Sequence, residues 1–454
     1  MARCPPPPVI ILPFILSMLR NIRKYIAVAT FALSLSYAFS ASALSVKDEV
    51  LGNPEKAGGV YYAYPGPADS LAVAPDGYEP FYISHYGRHG SRYLISDEDY
   101  TRVLSHFLKA DSLGLLTDAG QDVLMRLWEV WKEADGRGGE LTPLGARQHK
   151  GIARRMLQNY PAVFRDSAEI TARSTQVMRC AHSMMAFCEG LKELDPSLVI
   201  PKESSKRWMS HLCWWTPQAA EWNSDRGPWK ETYDTFEKEN INPDRLVGSL
   251  FTATETLPLN PAELMWGLYW VAVDMQNMET PVSFFDVFTP EELYALWRVN
   301  NLSFYIHNAS YPMSQGLIVA NARNLLDNII LTADEYIAEG KHGATLRFGH
   351  DGNITPLAAL MKFDGFCGEE SDPAKVEEAW ANFKVTPMAS NMQAVFFRPV
   401  AGEGDILVKF MMNENDVMLP IESSIAPFYT WTAAREFLKS QADDATAIIV
   451  RSQQ

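Results

Sequence analysis

Cysteine is scarce in this chain, basic charge is in the minority, and no stretch has the spacing of a metal centre. Five cysteines occur among 454 residues; none stand as Cys-x-x-Cys, and no Cys/His group has the ligand spacing of a zinc site. No metal and no cofactor are therefore expected. Lys plus Arg number 40 against 55 Asp plus Glu, a formal net charge of −15. A field of that sign repels nucleic acid and anionic membranes, so neither is an expected partner. Any anion must instead be captured at short range by clustered cations. Beyond residue 44 there is no internal repeat and no low-complexity tract. A composition 47% hydrophobic and 21% charged excludes a disordered or fibrous chain and suffices for one large or two moderate cores.

The first residues read as an address. Arg20, Arg23 and Lys24 precede an apolar run, Tyr25 to Phe39, that ends in the small residues Ala41-Ser42-Ala43, the order of a secretory signal. Residues 1–43 are expected to be removed, leaving an exported, periplasmic or extracellular protein with no stable membrane insertion. The stretch before Met18, with Pro5 to Pro8, fits no signal pattern, whereas a start at Met18 gives a signal of ordinary length. An uncleaved anchor is the competing reading, since the run approaches spanning length. Four cysteines remain after cleavage, Cys180, Cys188, Cys213 and Cys367, and three disulfide pairings are open.

Strand and helix patterns alternate through most of the chain beyond the signal. A strand is predicted at Phe81–Ser84 and helices at Asp97–Ser112 and Ala119–Glu133. Another helix should open at Thr142-Pro143, with Thr as cap and Pro in the first turn, and run to Asn159. A second strand covers Glu169–Ala172, followed by a helical segment, Gln176–Leu191. From 195 to 308 tryptophans crowd together and strand patterns nearly vanish, so that stretch is expected to be a mainly α-helical cap. The alternation resumes with a strand at Ala344–Phe348, a helix from Pro356 to Lys362, and an adjacent strand pair, Ala394–Arg398 and Ile406–Met412. The expected architecture is an α/β core, 44–194 and 309–454, interrupted by the cap at 195–308.

Three motifs follow predicted strand ends, where open α/β sheets bind ligands. Arg88-His89-Gly90-Ser91-Arg92 sets an imidazole between two guanidiniums, the side chain whose forked donors match a phosphoryl dianion. Such a string arises by chance in roughly one chain in several hundred; the bland alternative is a solvated basic turn. Ser174-Thr175-Gln176-Val177-Met178-Arg179 offers a third arginine. His350-Asp351 carries little information alone. The remaining histidines, His85, His106, His149, His182, His211, His307 and His342, read as packing or surface residues.

In this order the three motifs resemble those of the histidine acid phosphatases, whose pattern is R-H-G-x-R, then S-T-x-x-x-R, then H-D or H-A-E beyond a helical insert. Leu141-Thr142-Pro143-Leu144-Gly145 and Gln148 add to the likeness. The closing segment, Asn391-Met392-Gln393 through Asn413-Glu414-Asn415 to Leu419-Pro420-Ile421, is similar to multiple inositol polyphosphate phosphatases. His350-Asp351-Gly352 departs from the H-A-E usual in that branch. The resemblance implies a three-layer α/β/α sandwich of the phosphoglycerate-mutase kind and metal-independent hydrolysis of a small phosphomonoester. His89 would be the nucleophile and Asp351 the proton donor, with Arg88, Arg92, Arg179 and His350 holding the phosphoryl oxygens. Lys206, Arg207, Arg226 and Lys230 in the cap are candidates for outer phosphates of an inositol polyphosphate. General acid phosphatase action on sugar or nucleotide phosphates, a phosphomutase-like transferase, and a phosphate-ester binder without turnover are the alternatives.

Overall fold

Eight strands of the described chain build one mixed sheet, in the order β3-β2-β4-β1-β5-β6-β7 with β8 beside β6. They are β1 (Tyr78–Arg88), β2 (Glu169–Ser174), β3 (Lys202–Ser204), β4 (Gly343–Gly349), β5 (Asn391–Pro399), β6 (Leu407–Met412), β7 (Asn415–Val417) and β8 (Tyr429–Thr430). The computed structural model describes residues 44–253 and 260–454; the expected signal at 1–43 and the start at Met18 lie outside the described residues. The fold is that of the unit Val46–Gln454. None of its helices is long and apolar enough to cross a membrane, and Cys180, Cys188, Cys213 and Cys367 are all free thiols.

Both faces of the sheet are covered, as a parallel centre requires. Neighbouring residues of β1 point opposite ways: Ile83 joins a core with Ile152, Met184 and Phe187, whereas Tyr82 joins one with Leu326, Ile329 and Leu438. Helices Pro143–Asn159 and Met178–Leu194 thus lie on one side, and Arg323–Ala338, Asp351–Leu360 and Trp431–Ser452 on the other. The result is the three-layer α/β/α sandwich. The strand pair expected at the end is β5 and β6, antiparallel, with Met392 opposite Met412. Between β2 and β4 the chain is almost wholly helical. Three of its tryptophans are core, Trp297 fully buried with Phe107, Leu127 and Leu268, and Trp222 and Trp229 packed with Tyr305, while Trp208, Trp214, Trp215, Trp266 and Trp270 are half-buried against these and neighbouring cores. Helices Asp97–Ser112 and Asp118–Ala134 contribute to the first of those clusters, so the helical body draws on chain from before β2 as well.

Two elements differ from expectation. β1 runs on through His85-Tyr86-Gly87-Arg88, every residue of it buried from Phe81 onward; the polar string resembled a loop only because a central strand's surroundings are invisible in sequence. The helix expected from Pro356 begins at Asp351, with Pro356 in its interior. There the missing N–H forfeits one bond to the Gly352 carbonyl. The helix start is set by the end of β4, one residue upstream of His350, rather than by the proline.

Register decides where the site lies. In the parallel pairs Arg88 stands opposite Gly349 and Ser174 opposite Phe348, so β1, β2 and β4 end together at one edge. The three motifs leave the sheet from that edge.

Candidate active site

At the end of β1 the backbone is pinned on both sides: Arg88 N donates to Ser390 O (2.8 Å) and His89 N to Gly349 O (2.9 Å). The next residue must be glycine. A Cβ on Gly90 would sit 2.6 Å from the Gly145 carbonyl oxygen, because the loop crosses the first turn of helix Pro143–Asn159, which Thr142 caps as expected. Gly90 N donates to Ser183 Oγ (3.1 Å), and Ser91 N to Gln148 Oε1 (2.9 Å). His89, 2% exposed, lies 2.9 Å through Nδ1 from its neighbour's carbonyl, Gly90 O. A carbonyl only accepts, so Nδ1 carries the proton and the lone pair is on Nε2.

The structure brings His89, Arg88, Arg92, Arg179, His350 and Asp351 together. Burial first, then the Arg88, Arg179 and Arg92 guanidiniums and His350, hold His89 well below the usual imidazole range, which keeps it neutral in acid. The His350 ring is 5.8 Å from that of His89, with Nε2 3.2 Å from Thr175 Oγ1 and the Cys180 thiol alongside. Burial pulls His350 down to about 4, against the pull of Asp351.

Arg88 is fully buried: NH1 donates to Val60 O (2.5 Å) and Thr386 O (2.8 Å), and NH2 lies 2.8 Å from Asp351 Oδ2. Burial lowers its pKa to about 10, offset in part by Asp351. Desolvation raises Asp351, but Arg88, His350 and Arg92 overcome it and leave the carboxyl below its ordinary value. Its side chain is 26% exposed, so the donor candidate is open to a ligand. Arg92 NH2 donates to Tyr61 Oη (2.9 Å) and NH1 to Tyr93 O (2.8 Å). Arg179 makes no ion pair among the described residues, and its Nε is buried without a partner there. Four cationic or neutral-imidazole groups around the His89 ring, with a carboxyl beside them, can hold a phosphoryl group and move a proton.

The four cap cations do not behave alike. Lys206 and Arg207 occupy a short turn beside the edge: Arg207 lies 4.6 Å and Arg173 3.7 Å from the ring centre of Trp208. The same segment continues to Leu212, whose carbonyl accepts from Tyr86 Oη, itself the acceptor of His350 N. Arg226 and Lys230 are exposed, and Lys230 is engaged by both carboxylate oxygens of Asp234 (2.7 and 2.8 Å).

Sequence reading missed Tyr61, Ser183, Asn277 and Asp274, which support the loop from distant parts of the chain. No motif marks them. Gln148 and Thr175 did carry a signal, since both fall in the motif stretches.

Compared with known proteins, the chain matches the histidine phosphatase superfamily (branch 2) over residues 88–413. No curated protein matches it. Among solved structures it is similar to the Bifidobacterium longum multiple inositol polyphosphate phosphatase in complex with inositol hexasulfate. That likeness has 20% identity and a TM-score of 0.70, covering 83% of this chain and 96% of that one. It is also similar to the phytase from D. castellii, at 14% identity and a TM-score of 0.68, covering 89% of each chain. At these identities the solved structures speak for the fold. The family match extends over more than half the chain and takes in all three motifs, from Arg88 through Arg179 to Asp351, and on that footing the chain belongs to the histidine phosphatase superfamily (branch 2), as a histidine-type phosphomonoesterase.

Proposed function

We propose that this exported phosphatase removes phosphate from inositol polyphosphates through a phosphohistidine at His89. The observation that carries the reading is the Nδ1 bond of His89 to Gly90 O, which leaves a neutral Nε2 lone pair among three arginines. Nε2 attacks phosphorus in line as the ester P–O bond breaks, and Asp351 delivers a proton to the departing alkoxide. Water then attacks phosphorus, gives its proton to Asp351 and releases phosphate from Nε2. Asp351 is ionised against Arg88. A phosphoryl dianion that engages Arg88 brings negative charge beside the carboxylate and raises its proton affinity, which readies it as an acid.

Arg88, Arg92, Arg179 and His350 suffice for one phosphate. Further phosphates need cations at the rim, for which Lys206 and Arg207 beside the sheet edge are candidates, with Arg226 and Lys230. The inositol hexasulfate complex of the Bifidobacterium longum structure and the closing segment favour this substrate class. His350-Asp351-Gly352 favours the second reading, general action on simple sugar or nucleotide phosphates.

Phosphate release from inositol hexakisphosphate and from a small aryl phosphate, measured side by side, decides between them. The first reading expects a preference for the inositol ester that fades as salt rises. Replacing Lys206, Arg207, Arg226 and Lys230 together by Ala should raise KM for that ester about tenfold, from exposed contacts each worth under about 1 kcal/mol, and leave the aryl ester unchanged. Indifference of the parent to inositol phosphates selects the general phosphatase. Acid-labile label from substrate that survives His89→Ala removes the phosphohistidine.

A further inference from the structure

Asp274 is a carboxyl with no exposure at all, at the end of helix Pro261–Asp274 in the helical body, and it makes no ion pair among the described residues. A buried carboxyl outside an ion pair is costly and is normally replaced by an apolar side chain unless something uses it, and here the Arg92 guanidinium offsets part of that cost at longer range. Its two oxygens are both engaged. Tyr100 Oη donates to Oδ2 (2.6 Å) while accepting from Leu94 N (2.8 Å). Asn277 Nδ2 reaches Oδ1 (3.4 Å) and also donates to Tyr61 O (2.9 Å). Asn277 Oδ1 accepts from Ser91 Oγ (2.7 Å), which in turn accepts from Gln148 Nε2 (2.8 Å). Tyr61, lastly, receives Arg92 NH2 at its hydroxyl and lies under the guanidinium, 4.6 Å from ring centre to Cζ.

These bonds close a ring. Ser91 and Leu94, the residues either side of Arg92-Tyr93, are both tied to the pair Asp274 and Asn277, and the Arg92 fork is tied to Tyr61, whose carbonyl the same Asn277 holds. Everything in the ring is buried, so the bonds are shielded from water and from salt. We infer that Asp274 is a positioning residue of the phosphatase reaction, which aims the Arg92 guanidinium at the phosphoryl group by fixing both ends of the Ser91–Leu94 stretch. It touches no substrate. Burial pushes its pKa up to about 7, and in either protonation state Oδ2 accepts from Tyr100, so the ring persists across the acid range. The inference rests on the reading that Arg92 holds the phosphoryl oxygens.

The test is a double-mutant cycle between Asp274 and Arg92 with an aryl phosphate as substrate. Asp274→Leu, apolar and branched at the same carbon, should fold with the parent's cooperativity while kcat falls roughly 10- to 100-fold, the loss expected of a small misplacement of a group that binds the transition state. KM should move less than about threefold, and inhibition by vanadate should weaken more than inhibition by inorganic phosphate. Asp274→Asn, which keeps the acceptor for Tyr100, should recover most of the activity. In an Arg92→Ala background, Asp274→Leu should cost less than about twofold more, since the group it aims is gone. Losses that multiply, or an Asp274→Leu enzyme as active as its parent, overturn the inference. Should Asp274→Leu not fold, Tyr100→Phe cuts the link to Leu94 with the carboxyl left in place, and the same cycle with Arg92→Ala decides. The parent's own turnover is measured alongside, so failure of the phosphatase reading shows there and failure of this inference shows in the cycle.

Discussion

His89 and Asp351 both feel Arg88, Arg92 and His350, yet sit in opposite electrostatic situations. The imidazole is held neutral by burial and by the cations around it, and the carboxyl is held ionised by Arg88 against its own desolvation. Both states suit the roles assigned to them, since a nucleophile needs a lone pair and a donor needs a proton that arrives with the substrate. Asp351→Asn removes the proton but preserves much of the shape. Alkyl phosphates, whose alkoxides leave reluctantly, should then lose about 10²- to 10⁴-fold in kcat, while an activated aryl phosphate should lose less than about tenfold. Comparing kcat for the two ester classes checks this; equal losses would take Asp351 out of the donor role. Arg88, His89 and Arg92 were legible in the amino-acid sequence, because an imidazole flanked by arginines has few other uses, whereas Arg179, His350 and Asp351 were singled out by the order of the motifs and the family resemblance that order carries. Asp274 and Tyr61 were not, since a lone Asp at a helix end and a Tyr in a Gly- and Pro-containing lead are indistinguishable from hundreds of structural residues.

Strand ends and helix starts carry those side chains, and at one point two backbones nearly touch. Gly90 on the loop after β1 and Gly145 in the first turn of Pro143–Asn159 leave no room for a Cβ between them. Thr142 N also donates to Ser91 O (2.9 Å), which stitches the crossing together. Gly90→Ala should lower stability by about 1–3 kcal/mol through overpacking and cut kcat/KM more steeply than stability, because His89 and Arg92 lie on either side of the displaced peptide. Denaturant midpoints and aryl phosphate turnover measure the two effects; a variant unchanged in both would mean that the crossing relaxes freely. Thr142-Pro143 was readable as a helix start from local chemistry alone. The helix at Asp351 was not, because what starts it is the end of β4, an event of the sheet.

Across the whole molecule, two imidazoles are stored in the core beneath the site. His85 on β1 and His149 on helix Pro143–Asn159 are fully buried against Phe187 and Phe348, and the ring nitrogens of His85 have no hydrogen-bond partner among the described residues. Burial lowers both pKa values from 6.5 to about 3. With the folded value below the unfolded one, the unfolded chain binds protons first, so stability is full above about pH 6.5 and is lost as pH falls from there toward 3, by at most about 1.4 kcal/mol per unit for each histidine. The unfolding midpoint measured against pH should therefore decline through this window, and His85→Leu with His149→Leu should flatten the decline. An unchanged slope would show that these rings do not titrate with unfolding.

What the sequence determined by itself was local or short-ranged: the alternation of strand and helix, the cap of one helix, and one string, Arg88 to Arg92, whose residue types suit phosphate chemistry, with two weaker motifs that gained meaning from their order. Each follows from side-chain periodicity or donor geometry within a few residues. Tertiary structure alone decided that β1, β2 and β4 end at one edge in register, so that residues 88, 179 and 351 share a pocket. It also decided that Lys206 and Arg207 lie in a turn after β3 while Lys230 is engaged by Asp234, and that a carboxyl 182 residues beyond Arg92 joins the bonds that hold its loop. Pairing register and burial depend on contacts between segments far apart in the chain, and no local pattern encodes them.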